Sequence, residues 1–79
     1  MRIAENQQAI FDAIKADPVE RMLYASNPKN PDSMCYVCGV GFKKPDGITQ
    51  NEAAMMVLAG LLMRRFPGVH GFWNLRAIN

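Results

Sequence analysis

TQNEAAMMVLAGLLMRRF, residues 49–66, is the stretch on which the fold turns. Thr49 and Glu52 stand three apart, the spacing at which each side chain accepts from the other residue's main-chain N–H at a helix start. An unbroken apolar run from Ala53 to Met63 follows. Arg64 and Arg65 suit the negative end of a helix dipole, and Pro67-Gly68 forbids continuation, so the spacing predicts one helix over 49–66. At 100° per residue, Met55, Leu58, Leu62 and Phe66 form a bulky face flanked by Met56 and Met63, with Ala53, Val57 and Gly60 opposite. No polar stripe precedes the arginines. A helix apolar all round must be covered all round, by its own chain or by another, and this run is shorter than the roughly 20 residues that span a bilayer.

The rest of the chain supplies little cover. Seventy-nine residues make one domain, and a chain of this size buries only about 60% of its unfolded surface. A homodimer or an obligate partner is therefore expected around the central helix. The net charge is +2, with four basic and five acidic side chains up to Gly39 and five and two after it. That asymmetry is too weak to announce a nucleic-acid binder. Two cysteines make no secreted disulfide framework, and polar residues follow Met1-Arg2 where a signal peptide would be apolar, so a cytoplasmic address is expected.

Outward from the central stretch, Ile3 to Ala16 places Ile3, Ile10, Phe11 and Ile14 on one helical face. Asp17-Pro18-Val19-Glu20 reads as a second helix start, with Asp17 as cap and Pro18 at the first helical position, ending near Ser26. Residues 27–33, with two prolines, are a loop. Met34 to Phe42 is β-prone, residues 43–47 carry a Pro-Asp-Gly turn, and Val69 to Ile78 alternates Trp73, Leu75 and Ala77 with Asn74 and Arg76 as a strand. The expected fold is α+β, two N-terminal helices followed by a strand-helix-strand unit, with the helix a right-handed crossover if the strands pair in parallel. The alternative is a small all-helical bundle in which the last segment is irregular.

Cys35-Tyr36-Val37-Cys38-Gly39 carries the most specific chemistry. This segment resembles the zinc knuckle of ribbon-like and rubredoxin-like sites, in which two thiolates three positions apart bind one metal and the following glycine turns the chain. The resemblance covers half a tetrahedral site. His70, with an acidic side chain or water, or the same pair from a second copy, would complete a zinc site. The plainer reading is two small apolar residues in a reduced core. A redox pair is disfavoured, because its first thiol normally opens a helix.

No catalytic constellation stands out, since nothing places Cys35 or Cys38 beside His70 as nucleophile and base, and no enzyme activity is expected. Phe72 and Trp73, with Arg76, could stack a base or anchor a partner, against the plainer use of Trp73 as core. Lys43, Lys44, Arg64 and Arg65 fall at opposite poles in a monomer and would meet only in an antiparallel dimer. The methionines, among them Met55, Met56 and Met63, make an adaptable apolar surface. These features point to a small non-catalytic protein-binding module, an inhibitor, adaptor or assembly subunit of the kind common among phage and plasmid accessory proteins. Met55, Met56, Met63, Phe72, Trp73, Arg64 and Arg65 are its expected contact residues. The competing expectation is a zinc-stabilised nucleic-acid-binding or regulatory module using Cys35, Cys38 and His70.

Overall fold

The computed structural model describes residues 3–39, 41–44, 46–66, 68 and 70–76, apart from the Lys43 side chain. The chain runs α1 (Glu5–Ala16), β1 (Met22–Ala25), β2 (Met34–Gly39), β3 (Phe42–Lys43), β4 (Ile48–Thr49), α2 (Gln50–Leu58), β5 (Leu62–Arg64) and β6 (Phe72–Leu75). The strands form one antiparallel sheet in the order β3-β2-β1-β6-β5, with β4 pairing the first residues of β2 on the side where β3 pairs its last. An α+β fold is therefore present, and the sheet rules out the all-helical alternative. The expected contributions of Val69, Ala77 and Ile78 to the last strand, of Pro67 to a helix stop and of Pro45 to a turn lie outside the described residues.

Helix α1 follows the expected pattern. Gln7, Ile10 and Ile14 share its buried face, and the Gln7 side chain accepts from the Ala4 N–H at 2.9 Å where no N-cap side chain is available. Asp17 ends it, its N–H donating to the Ile14 carbonyl.

The second expected helix is replaced by a turn and a strand. Asp17 Oδ1 does accept from the Glu20 N–H at 3.2 Å, as an N-cap would, but the same bond closes an isolated turn. After that turn Met22–Ala25 becomes β1, paired with β2 on one side and β6 on the other. Two ladders override the weak helical preference of Met-Leu-Tyr-Ala, because strand preference is set mainly by packing against cross-strand neighbours. The Arg21 guanidinium lies 3.8 Å from the Phe42 ring centroid and donates to the Ala13 carbonyl, tying the start of β1 to β3 and to the end of α1.

The central helix is also shorter than expected. Its start has the capping box: Glu52 N–H donates to Thr49 Oγ1 at 3.1 Å and Thr49 N–H to Glu52 Oε1 at 2.9 Å. Its end falls at Leu58, where Gly60, at φ +79°, donates to the Val57 carbonyl and Leu61 to the Met56 carbonyl. That pair of bonds is a Schellman stop, which favours a glycine able to hold a left-handed conformation. Gly60 is thus a terminator and not part of a small-residue helix face. Leu62, Met63 and Arg64 leave the helix altogether and form β5 against β6.

These two changes redraw the topology. Strands β2 and β6 run in the same direction, as a crossover requires, but β1 lies between them and pairs antiparallel to both. Both helices cover one side of the sheet. Ile10 and Ile14 of α1 and Ala53 and Met56 of α2 enclose Leu23, Cys35, Val37, Ile48, Leu62 and Trp73 in a single buried cluster. The helix N-termini are joined by Gln7 Nε2 donating to the Glu52 carbonyl and Asn6 Nδ2 to the Glu52 carboxylate. The central helix is therefore not a fully enclosed rod: Ala53 and Met56 are buried, whereas Met55 and Leu58 are 54% and 86% exposed.

Candidate functional site

Strand alternation decides what is left uncovered. Since Leu23, Ala25, Cys35, Val37 and Trp73 face the helices, Met22, Tyr24, Met34, Tyr36, Cys38, Phe72 and Asn74 face the other way. The buried faces of both helices pack on the opposite side, and the start of α1 reaches only one margin of the outer face, where Glu5, Asn6 and Ala9 border a cavity of about 680 Å³ with Met34 and Tyr36. Tyr24 pairs directly with Tyr36 in β2 and with Phe72 in β6, so three aromatic side chains form a row across the middle of the sheet. The Tyr24 and Tyr36 ring centroids are 6.2 Å apart. Phe66 meets Phe72 edge to face at 5.6 Å, and the Arg65 guanidinium sits 5.4 Å from the Phe66 centroid. Arg65 Nη1 donates to Asn74 Oδ1, which holds it over this end of the face.

The outer face is mostly apolar. Met34, Met63 and Phe66 are 37%, 45% and 42% exposed, and Met22, Tyr24, Tyr36 and Phe72 are half-buried by one another. Its charges stand at the margins: Glu20 and Arg65 border a shallow depression over Met22 and Cys38, and Glu5, Lys44 and Asp46 line the cavity beside Met34 and Tyr36. Tyr, Phe, Met and Arg are the residue types enriched in protein interfaces, and contiguous apolar surface of this kind is uncommon on isolated chains.

A second concave feature lies on the helix side, at the β5 edge. It is a cleft of about 450 Å³ between α2, the 27–33 loop and the β5–β6 hairpin. It is lined by Val57, Leu58 and Trp73, by the polar Gln50, Asn51 and His70, and by the cations Lys29 and Arg64. The loop wall is fastened by Gln50 Nε2, which donates to the Asn27 and Asn30 carbonyls. Gly71, at φ +96°, forms the other wall, where a Cβ would stand only 2.9 Å from Pro28 Cβ.

The expected contact residues separate between these surfaces. Met63, Phe72 and Arg65 belong to the outer face, Arg64 and Trp73 to the cleft, Met55 to the exposed side of α2, and Met56 is wholly buried. Phe72 and Trp73 thus cannot form one platform, because adjacent strand residues face opposite sides. Arg64 ends the end strand β5 and Arg65 follows it, whereas Lys43 and Lys44 lie in and after β3 at the far edge. The expectation that these cations stand apart within one chain agrees with that order. Tyr24, Tyr36 and Met34 are absent from the expected contact residues, because a helix ending near Ser26 hides the β1–β2 pairing that brings them onto one face; the signal is the alternation Met22, Leu23, Tyr24, Ala25 against Met34 to Val37.

The cysteines do not form a knuckle within the chain. Cys35 is buried among the core side chains and Cys38 lies on the outer face, so the two sulfurs are on opposite sides of β2. Burial pushes the Cys35 thiol up to about 12, which keeps it protonated at neutral pH and a poor nucleophile. Gly39 lies within β2, with no positive φ of the kind a knuckle turn uses. Among the described residues no three His, Cys, Asp or Glu side chains are grouped so as to hold a metal ion, and no helix is long and apolar enough to cross a membrane.

Comparison with protein-family models, with curated proteins and with solved structures gave no match to this chain. The functional reading therefore rests on the two surfaces themselves.

Proposed function

We propose that this chain is a small non-catalytic protein-binding module that lays the outer face of its sheet on a larger protein, as an inhibitor, adaptor or assembly subunit. The observation that supports the reading is the one-sided cover of the sheet, which leaves Tyr24, Tyr36, Phe72, Met34, Met63 and Phe66 as one apolar surface with its charges at the rim. Such a face loses little by desolvation and gains apolar burial when covered. Its methionines can repack against an irregular partner surface. A second copy could occupy the same face, which would make the protein a homodimer.

The aromatic row supports a second reading, in which single-stranded nucleic acid stacks on Tyr36, Tyr24 and Phe72 beside Arg65. The apolar methionines and Glu20 at the margin weigh against it, because phosphate binding depends on clustered cations.

The discriminating experiment pairs Met34→Lys with Met63→Lys, two exposed positions at opposite ends of the face. Light scattering of the parent protein gives its mass, and affinity capture from the source cells identifies what it holds. Protein binding through this face requires that the double variant keep its circular dichroism spectrum and lose the captured protein, or lose the dimer. Equal capture by both forms overturns the reading. Retention on single-stranded DNA that is strengthened by the added lysines and weakened steeply by salt would transfer the face to nucleic acid.

A further inference from the structure

We propose that the cleft at the β5 edge is a second docking site, which takes an acidic, extended segment of a partner protein. A carboxylate of that segment is held between Lys29 and Arg64, and an apolar side chain beside it rests on Leu58 and Trp73. The inference builds on the protein-binding reading above and specifies the chemistry that the partner presents at a surface separate from the outer face.

Charge complementarity carries the assignment. Lys29 and Arg64 both line the cleft, and none of its described lining side chains is acidic, so the formal charges of that lining are all positive. The rest of the lining mixes the uncharged polar side chains of Gln50 and Asn51 and the His70 ring with apolar ones, and Leu58 at 86% exposure is the barest large hydrophobic among the described residues. Two cations beside bare apolar side chains match one or two carboxylates attached to a hydrophobic body. A nucleic-acid strand would need its successive phosphates neutralised by a longer run of cations than this. An arginine presents a fork that fits a carboxylate through two parallel bonds, and Arg64 is exposed at the cleft.

Two further features suit an extended chain. Arg65 N–H donates to the Phe72 carbonyl and Arg76 N–H to the Leu61 carbonyl, so the odd-numbered residues of this segment bond to β6. Arg64 consequently turns its own N–H and C=O away from β6, at the end strand of the sheet. An extended segment entering the cleft can meet those groups. The cleft is also built in advance. Gln50 Nε2 lies 2.7 Å from the Asn30 carbonyl and 3.1 Å from the Asn27 carbonyl, and Ser33 Oγ donates back to the Asn27 carbonyl at 2.7 Å. With Pro28 and Pro31 in the same loop, little freedom remains to be lost on binding.

Trp73 is the only tryptophan, so its emission reports the cleft directly. The test is selection of phage-displayed heptapeptides on the immobilised full chain, followed by titration of the synthetic winner while Trp73 fluorescence is read. Selected peptides should carry Asp or Glu next to a bulky apolar residue, and binding should shift the Trp73 emission. Lys29→Glu and Arg64→Glu, both at exposed positions, should each weaken binding about tenfold or more. The paired Met34→Lys and Met63→Lys variant should bind the peptide as the parent does. Winners without acidic residues, an affinity indifferent to Lys29→Glu and Arg64→Glu, or a loss confined to the outer-face variant would overturn the proposal. If no peptide is selected while the outer face still captures a partner, the cleft assignment fails and the protein-binding reading stands.

Discussion

Cys35 and Cys38 are three residues apart in one strand, yet one is sealed in the core under two helices and the other lies half-buried on the opposite face. The same division separates Trp73 from Phe72 and Leu23 from Tyr24. The helix side has the composition and burial of a core, and the outer side has similar residue types without the cover. Burial depends on which side of the pleat a residue occupies, so hydrophobicity alone cannot distinguish a side chain that holds the fold from one available to a partner.

The sharpest way to break this comparison is chemical labelling of the thiols. In native protein Cys38 should react at an ordinary rate, while Cys35 should react only when the chain opens, slower by about a thousandfold or more for a domain of ordinary stability. Mass spectrometry after timed quenching reads both sites, and comparable rates would dissolve the distinction between the two sides. Truncation should give the next largest contrast. Leu23→Ala and Met56→Ala should each cost about 2–5 kcal/mol in urea denaturation, whereas Met63→Ala and Met55→Ala should stay within about 0.5–1 kcal/mol.

A smaller effect tests the helix stop that turns residues 62–64 into a strand. Gly60→Ala puts a Cβ into a left-handed conformation and should destabilise the protein by about 1–2 kcal/mol, seen as a lower urea midpoint. An unchanged midpoint would mean that the helix can extend. The smallest effect concerns the joint between the two helices. The Thr49 N–H, and then the Asn6 side chain, hold the Glu52 carboxyl below its ordinary value, against a weaker opposing effect of desolvation. Its folded value lies below its unfolded one, so the contribution to stability is present above the ordinary carboxylate range, about pH 4.3, and is lost as pH falls through the folded value. Urea midpoints measured from pH 6 downward should fall less steeply in Glu52→Gln than in the parent protein.

Much of the helical part was legible because its signals are local. Ile10 and Ile14 mark one face of α1, Asp17-Pro18 marks its end, and Thr49 with Glu52 marks the start of α2 through bonds made within four residues. The strands read less well. Met22–Ala25 has two apolar residues inward and two large ones outward, a pattern too short to distinguish from a helical turn, and Asp17 can cap a helix or close a turn by the same hydrogen bond. Leu62–Arg64 reads as a continuing helix unless Ala59-Gly60 is recognised as a stop. Of the contact surfaces, Phe72, Met63 and Arg65 were visible as candidates, but Tyr24 and Tyr36 acquire meaning only after β1 is placed between β2 and β6.

By itself, the amino-acid order determined the beginnings of both helices and the segment that became β2, and it favoured an α+β chain over an all-helical one without deciding between them. Those features depend on contacts between near neighbours, whose energies are set by residue type and spacing. Only the tertiary structure decided that β1 divides the expected parallel pair, that β5 forms an edge of the sheet, and that both helices pack their buried faces on the same side of it. A strand is held by partners far away in the chain, and its identity is undecided until those partners arrive.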